Sequence, residues 1–311
     1  MLSITAFIWG SAFVAQKDGM RYIGPFTFTA SRMLLGGFVL IPVIFLLRRL
    51  EAKTVPGREL TDAEAALETL NEMPEMSQKS LLIGGAVCGF VLYFACAAQQ
   101  IGLLHTTAGK AGFITSLYIL LVPLLGLFLG NKVRRILWFC VALGVLGLYF
   151  LCVLEDFTIG RGDFIMLFSA LGFAFHILAI NYFAPKVNGV QMSCLQFFVC
   201  GILSLATSLA IESPELHNIL ISWFPIVYAG AISCGIAYTF QILGQKHTDP
   251  TVASLILSLE SVFAVICGIL ILNEALSLRE FAGCALMLAA IVLAQLPGKN
   301  AAKDGAPQLS N

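Results

Sequence analysis

Glu260 is the residue whose setting most invites a chemical reading, a carboxylate ten residues into the apolar run 250–272. An ionisable group at the centre of a membrane helix costs about 2.5–3.5 kcal/mol on insertion scales, so its presence there asks for a reason. It can hold the ammonium of a solute or take up a proton, and the plainer alternative is an interhelical hydrogen bond that fixes packing. His176, about twelve residues into the run 164–184, is the second candidate for proton coupling, because an imidazole titrates near physiological pH. Against that stands the ordinary role of a packed, hydrogen-bonded core histidine. Arg32, six residues into the run 26–47, is expected to snorkel toward the membrane interface, anchoring carbonyls or an interfacial partner rather than binding a carboxylate. Lys110, at the edge of its run, is expected to snorkel as well.

Around these lie residues suited to line a path for an amphipathic solute: Trp9, Ser11, Phe13, Tyr93, Gln99, Tyr118, Tyr238 and Gln241. Aromatics in an apolar chain mostly face lipid or neighbouring helices. The glutamines are better candidates, since an amide gains nothing from lipid. With His176 and Glu260 they form the predicted substrate-binding set.

Such residues need elements to hold them, and composition says which. Of 311 residues, 59% are apolar and 12% charged, too few charges to cover a soluble protein of this length. The formal net charge is zero, so no basic field argues for nucleic acid. The nine cysteines all sit in apolar runs without CxxC or Cys/His spacing, and are read as packing residues; no metal site or cofactor is expected.

A spanning helix needs about 20 apolar residues. Ten runs qualify or nearly so: 2–16, 26–47, 81–104, 107–129, 134–153, 164–184, 190–212, 219–243, 250–272 and 279–297. The first is short, which suggests a late start or a missing N-terminal turn; without a basic n-region it does not read as a cleaved signal. The prediction is an all-α polytopic membrane protein with ten transmembrane helices. Twelve Lys/Arg on one side of these spans against four on the other put both termini in the cytoplasm of an inner-membrane protein. The polar connection 48–80 then lies in the cytoplasm, with a capping box at Thr61–Glu64 opening a short helix, and the tail 298–311 is expected to be disordered. Gly36-Gly37, Gly84-Gly85 and Gly144/Gly147 are expected to let helices approach closely.

The chain also repeats itself. At a shift of 142, Ala95, Gln99, Gly102, His105, Thr106, Ala111, Ile114, Ser116, Leu117, Gly126, Asn131 and Phe139 recur as Ala237, Gln241, Gly244, His247, Thr248, Ala253, Ile256, Ser258, Leu259, Gly268, Asn273 and Phe281. Tyr118 is thereby the repeat mate of Glu260. Five spans per copy is an odd number, so the second copy (158–297) runs upside down relative to the first (1–157). Inverted repeats supply two near-equivalent packings, one open to each side, with a site between them.

The run Trp9-Gly10-Ser11-Ala12-Phe13, Arg32 after Pro25, His105-Thr106, Pro123, Leu259-Glu260 followed by Val262-Phe263-Ala264, and Asn273-Glu274 resemble the drug/metabolite transporter superfamily, EamA type. Ser261 and Lys132 depart from its pattern, where a proline and an acid are usual. The resemblance implies a permease for a small organic solute, often an exporter of amino acids or other metabolites. The expected partners are that solute, the lipid bilayer and a proton as coupling ion, with the protein a monomer or a homodimer. A channel or lipid scramblase is the rival. An enzyme is not expected: Gly160-Arg161-Gly162-Asp163 matches the string of intramembrane aspartyl proteases, but every other aspartate lies in a loop or at a span edge.

Overall fold

The computed structural model describes residues 1–51, 78–106, 108–130, 133, 135–152, 160–246, 248–272 and 278–295. The predicted loop helix at 61–71, the 298–311 tail, His247 and Asn273 fall outside these residues, as does the side chain of Lys110. Everything regular among them is helical: α1 (Leu2–Gly19), α2 (Pro25–Glu51), α3 (Gln78–Leu104), α4 (Ala108–Ser116), α5 (Tyr118–Phe128), α6 (Arg135–Cys152), α7 (Arg161–Phe183), α8 (Gly189–Ile211), α9 (Leu216–Ile221), α10 (Trp223–Val227), a π-helical stretch (Tyr228–Tyr238), α11 (Thr239–Gln245), α12 (Pro250–Leu257), α13 (Glu260–Leu272) and α14 (Leu278–Gln295).

Among the described residues, six stretches are long and apolar enough to cross a membrane: Pro25–Leu46, Gln78–Leu104, Ala111–Phe128, Arg161–Lys186, Gly189–Ile211 and Trp223–Gln245. Arg135–Gly147, Pro250–Ala264 and Phe281–Ala294 are shorter apolar helices. The first predicted span runs on to Gly19, three residues past its predicted end at Gln16, because Lys17 and Asp18 continue the helix beyond the apolar run. Local chemistry sets the ends. Asn188 caps α8 by accepting from Gln191 N at 3.0 Å, and Asp249 caps α12 ahead of Pro250, accepting from Thr251 N at 2.8 Å. Gly130, at φ +81°, takes the left-handed turn past α5 that a side chain would resist.

Burial is reversed relative to a soluble protein. Phe38, Phe45, Phe90, Phe128, Leu209 and Phe281 face outward, while Arg32, Gln100, His176, Gln196, Gln245 and Glu260 are inside. The seven described cysteine side chains are buried, filling space between helices. The most extensive packing joins α3 with α7 and α8, α2 with α8, and α6 with α14, so helices from before residue 153 pack chiefly on helices from after residue 160. Glycines permit these approaches. A Cβ at Gly36 would stand 2.6 Å from Cys234 Cβ, at Gly85 2.5 Å from Leu195, and at Gly147 2.8 Å from Met287. The tightest approach to another helix's backbone is of α1 to α13, where a Cβ on Gly10 would meet the Glu260 carbonyl at 2.5 Å.

Two spans are broken near their middles. The helix stops at Leu117 between α4 and α5, and again at Ser258-Leu259 between α12 and α13. These positions are repeat mates at the shift of 142, and the breaks make Tyr118 and Glu260 the first residues of their half-helices. A carboxylate in the first helical turn is favoured by the N-terminal end of the macrodipole.

Candidate functional site

The breaks face each other. Ser116 Oγ donates to a Glu260 carboxylate oxygen at 3.3 Å, and Ser116 and Ser261 hydroxyls lie 2.5 Å apart. Ser261 also reaches the Gly112 carbonyl at 3.1 Å. Beside this knot is a small cavity, lined by Trp9, Phe13 and Gln16 of α1, Arg32 of α2, Gln99 of α3, Thr115 and Tyr118 at the first break, Phe173 of α7, Ser233 and Tyr238 of the π-helical stretch, and Glu260 at the second break. The α1 residues fall on one face because they are spaced by four and three. The π-helical stretch, a geometry that recurs at functional sites, widens the helix where Ser233 and Tyr238 meet the cavity.

The space open to the centre of a water molecule is about 30 Å³. By that measure a water needs about 10–15 Å³, so the cavity has room for about two or three waters and none for a metabolite. Its walls are aromatic and polar together: the Trp9 and Tyr238 rings pack at a tilt of 56° with centroids 4.7 Å apart, and behind the wall Phe28 lies 5.8 Å from the Arg32 guanidinium. Several wall atoms have no hydrogen-bond partner, namely Trp9 Nε1, Arg32 Nε and Nη2, and the Tyr118 hydroxyl. Buried polar atoms are normally satisfied, and these four orphans on one small space make it a candidate site.

Six of the ten predicted site residues meet at this cavity: Trp9, Phe13, Gln99, Tyr118, Tyr238 and Glu260. Four do not. Ser11 turns to Tyr228, with the two hydroxyls 2.5 Å apart. The Tyr93 hydroxyl pairs with Thr207 at 2.7 Å. His176 is fully buried with its Nε2 3.0 Å from Gln196 Oε1, packed edge-on against Tyr238 at 6.0 Å rather than on the wall. Gln241 is 1% exposed and off the cavity, its Oε1 without a partner. Sequence reasoning missed Gln16, Thr115, Phe173 and Ser233. Gln16 was within reach, since it extends the Trp9/Phe13 face by one turn. Arg32 was expected to snorkel, yet it is 2% exposed and lines the cavity, because the flanking helices close over it before it can reach an interface.

A second polar cluster lies at the end of the bundle that holds Gly24 and Ile211. The Glu212 carboxylate accepts from Phe26 N at 2.9 Å, Thr27 N at 2.8 Å and Thr27 Oγ1 at 2.6 Å, closing the N-terminus of α2 from the end of α8. Gly24 leaves room for it: a Cβ there would stand 2.3 Å from the carboxyl carbon. Nearby in the same end region, Thr106 donates to Asp163 at 2.5 Å and Lys17 to the Thr106 carbonyl at 3.1 Å.

The profile of the EamA-like transporter family matches residues 1–153 and 160–296. The chain belongs to this family. Among curated relatives of this EamA-like protein, an uncharacterized transporter of Archaeoglobus fulgidus is 28% identical over 304 residues, spanning 95% of this chain and 84% of that protein. The chloroplastic WAT1-related protein At3g02690 of Arabidopsis thaliana is 26% identical, spanning 94% of this chain and 68% of that one. A crystal structure superposes with a TM-score of 0.70 at 20% identity, covering 94% of this chain and 95% of its own, a likeness of fold alone. Family and relatives together make the EamA-like chain a multi-pass membrane transporter of small solutes, and their names point to transport rather than enzymatic chemistry.

Proposed function

We propose that this EamA-like protein is a secondary carrier that moves a small amphipathic organic solute, in the outward direction, by alternating access around the central cavity. The observation that carries the reading is the position of Glu260: a buried carboxylate at a helix break, on a small cavity, opposite a matching break at its repeat mate Tyr118. A 142-residue repeat whose copies break at corresponding positions supports ten spans arranged as two inverted halves, and such halves have two packings of similar energy. The Lys/Arg asymmetry supports an inner-membrane protein with both termini in the cytoplasm.

Glu260 has the Ser116 hydroxyl as a donor and Tyr118 beside it with an unpartnered hydroxyl. A solute ammonium fits that setting, and so does a proton. The two compete for one carboxylate, which couples a proton entering from one side to a solute leaving on the other. A channel needs a path open at both ends at once; a cavity with room for only about two or three waters supports a carrier.

The test is counterflow in proteoliposomes. Unlabelled solute on the far side is expected to accelerate uptake of labelled solute, with saturation, in the wild type. Glu260→Gln should lose the response to an imposed pH gradient. Flux that neither saturates nor shows trans-acceleration would mean a pore, and pH-gradient coupling unchanged in Glu260→Gln would remove Glu260 from the mechanism.

A further inference from the structure

The helices around the cavity fall into two groups. α1 packs chiefly on α13 and the π-helical stretch, with α10, α11 and α12 next, whereas α7 packs chiefly on α3 and then on α5 and α4. The groups are repeat mates: α1 and α7 open the two copies, and the shift of 142 carries the helices around Gln99 and Ser116 onto those around Gln241 and Ser258. The cavity lies between them, with Trp9, Ser233 and Glu260 from one group and Gln99, Tyr118 and Phe173 from the other.

Beyond the knot at Ser116, hydrogen bonds tie the groups together toward each end. At the end that holds Gly24 and Ile211, Lys17 Nζ donates to the Thr106 carbonyl at 3.1 Å and Gln100 Nε2 to Gln16 Oε1. Toward the other end, Asn181 Nδ2 donates to the Thr248 carbonyl at 3.4 Å and Gln245 Nε2 to the Ile177 carbonyl at 3.2 Å. Asp163, which accepts from the Thr106 hydroxyl, and Asn181 sit near opposite ends of α7, about 27 Å apart at the rise of an α-helix. The two sets of ties are therefore on opposite sides of the cavity.

They also correspond by repeat. Thr106 and Thr248 are mates at the shift of 142. The opening helices of the two copies align at shifts of 162 to 164, Gly10 with Gly172 and Arg32 with Gln196, which sets Lys17 opposite the stretch 179–181 that ends in Asn181. In each copy a polar side chain late in the first helix reaches the carbonyl of the threonine that links the third span to the fourth. Each of these bonds joins helices of different groups. A cavity between two groups opens to one side when the groups part at that end, so each tie opposes one of the two openings.

We infer that the Lys17–Thr106 and Asn181–Thr248 bonds, with the glutamine bonds beneath them, are paired gates whose relative strength sets which side of the cavity opens. The inference rests on the carrier reading above and adds to it the contacts that hold each end shut. With both termini in the cytoplasm, the Lys17 gate faces outward and the Asn181 gate inward. An interhelical hydrogen bond of average strength inside a membrane biases such a two-state balance about threefold.

The experiment places a reporter, Ser233→Cys, on the cavity wall of the full-length protein and labels it with a membrane-impermeant sulfonated maleimide, from outside in intact cells and from inside in inverted vesicles. Protein without the reporter gives the background from the native cysteines. Lys17→Met is expected to raise labelling from outside about threefold without raising it from inside, and Asn181→Leu to do the reverse. Gln100→Leu and Gln245→Leu, which remove the deeper bonds, should move the outside-to-inside ratio in the same two directions. Combining Lys17→Met with Asn181→Leu should return the ratio to the wild-type value, which a folding defect would not do. A ratio that stays put, or moves the same way in both single variants, overturns the inference and leaves the carrier reading standing. A rise from both faces at once in either single variant means a continuous pore and overturns the carrier reading with it.

Discussion

Glu212 and Glu260 are both carboxylates at the first turn of a helix, and they are treated in opposite ways. Glu212 belongs to the end of α8 and closes the first turn of another helix, taking two backbone N–H groups and a hydroxyl within 2.9 Å. Glu260 opens its own half-helix and accepts from a serine hydroxyl at 3.3 Å with the Tyr118 hydroxyl beside it, although it is 3% exposed. The saturated carboxylate has nothing left to bind with. The unsaturated one has spare lone pairs facing a cavity. The difference teaches how to sort polar groups in a membrane interior: satisfied ones hold helices together, and under-satisfied ones clustered on a void are the candidates for binding.

The largest expected effect is on the saturated side. Glu212→Ala removes three charge-assisted bonds at once and leaves the α2 N-terminus uncapped. Bonds to charged groups contribute about 1.5–3 kcal/mol each before non-additivity, so a loss of about 3 kcal/mol is expected. Thermal unfolding in detergent reads it. Transport per folded molecule should be unchanged; a specific loss of transport at full stability would break the comparison.

Glu260→Gln should do the reverse, with at least a hundredfold loss of solute counterflow, equivalent to about 2.7 kcal/mol, and a melting temperature no lower than wild type. An amide preserves shape and removes a buried charge. Were stability to fall as transport is retained, Glu260 would join Glu212 as a structural acid.

Thr27→Val sharpens the saturated side by subtraction. Its hydroxyl, 2.6 Å from both Ser208 Oγ and a Glu212 oxygen, is lost while the two backbone bonds to Glu212 remain. A destabilisation of about 1 kcal/mol is expected, roughly a third of the Glu212→Ala effect, measured in the same unfolding assay. An effect as large as that of Glu212→Ala would mean that the hydroxyl, not the helix N-terminus, holds the carboxylate.

How much of this was legible in the sequence divides along a physical line. Depth was readable: a run of apolar residues fixes where along the membrane normal a residue sits, and Glu260 and its repeat mate Tyr118 lie on one cavity. Direction around the helix was readable only in part. Trp9, Phe13 and Gln16 share a face by their spacing, and Ser11, two residues from each of Trp9 and Phe13, had to point elsewhere. For Tyr93, His176 and Gln241, rotation is set by which helix packs alongside, and hydropathy carries no record of that. Arg32 shows the same limit at higher stakes, since its depth allowed snorkelling and only the closure of α3, α8 and the π-helical stretch around it forbade that. The breaks at Leu117 and Ser258-Leu259 and the π-helical stretch were invisible to hydropathy, because the residues on either side remain apolar. The repeat nevertheless pointed at the two breaks, pairing Ser116-Leu117 with Ser258-Leu259.

The smallest effect tests that distinction directly. Tyr93 and Tyr238 were predicted as equivalent wall residues, yet the Tyr93 hydroxyl is spent on Thr207 at 2.7 Å while Tyr238 packs on Trp9 in the cavity wall. Tyr93→Phe removes one interhelical hydrogen bond, worth on average about 0.6 kcal/mol inside membranes, so a small drop in melting temperature and unchanged solute affinity are expected. Tyr238→Ala, by contrast, should weaken affinity by opening the wall against which Trp9 is held. If Tyr93→Phe alters solute affinity as strongly as Tyr238→Ala, the binding surface extends from the cavity toward α8. Satisfied hydrogen bonds would then no longer separate the scaffold from the site.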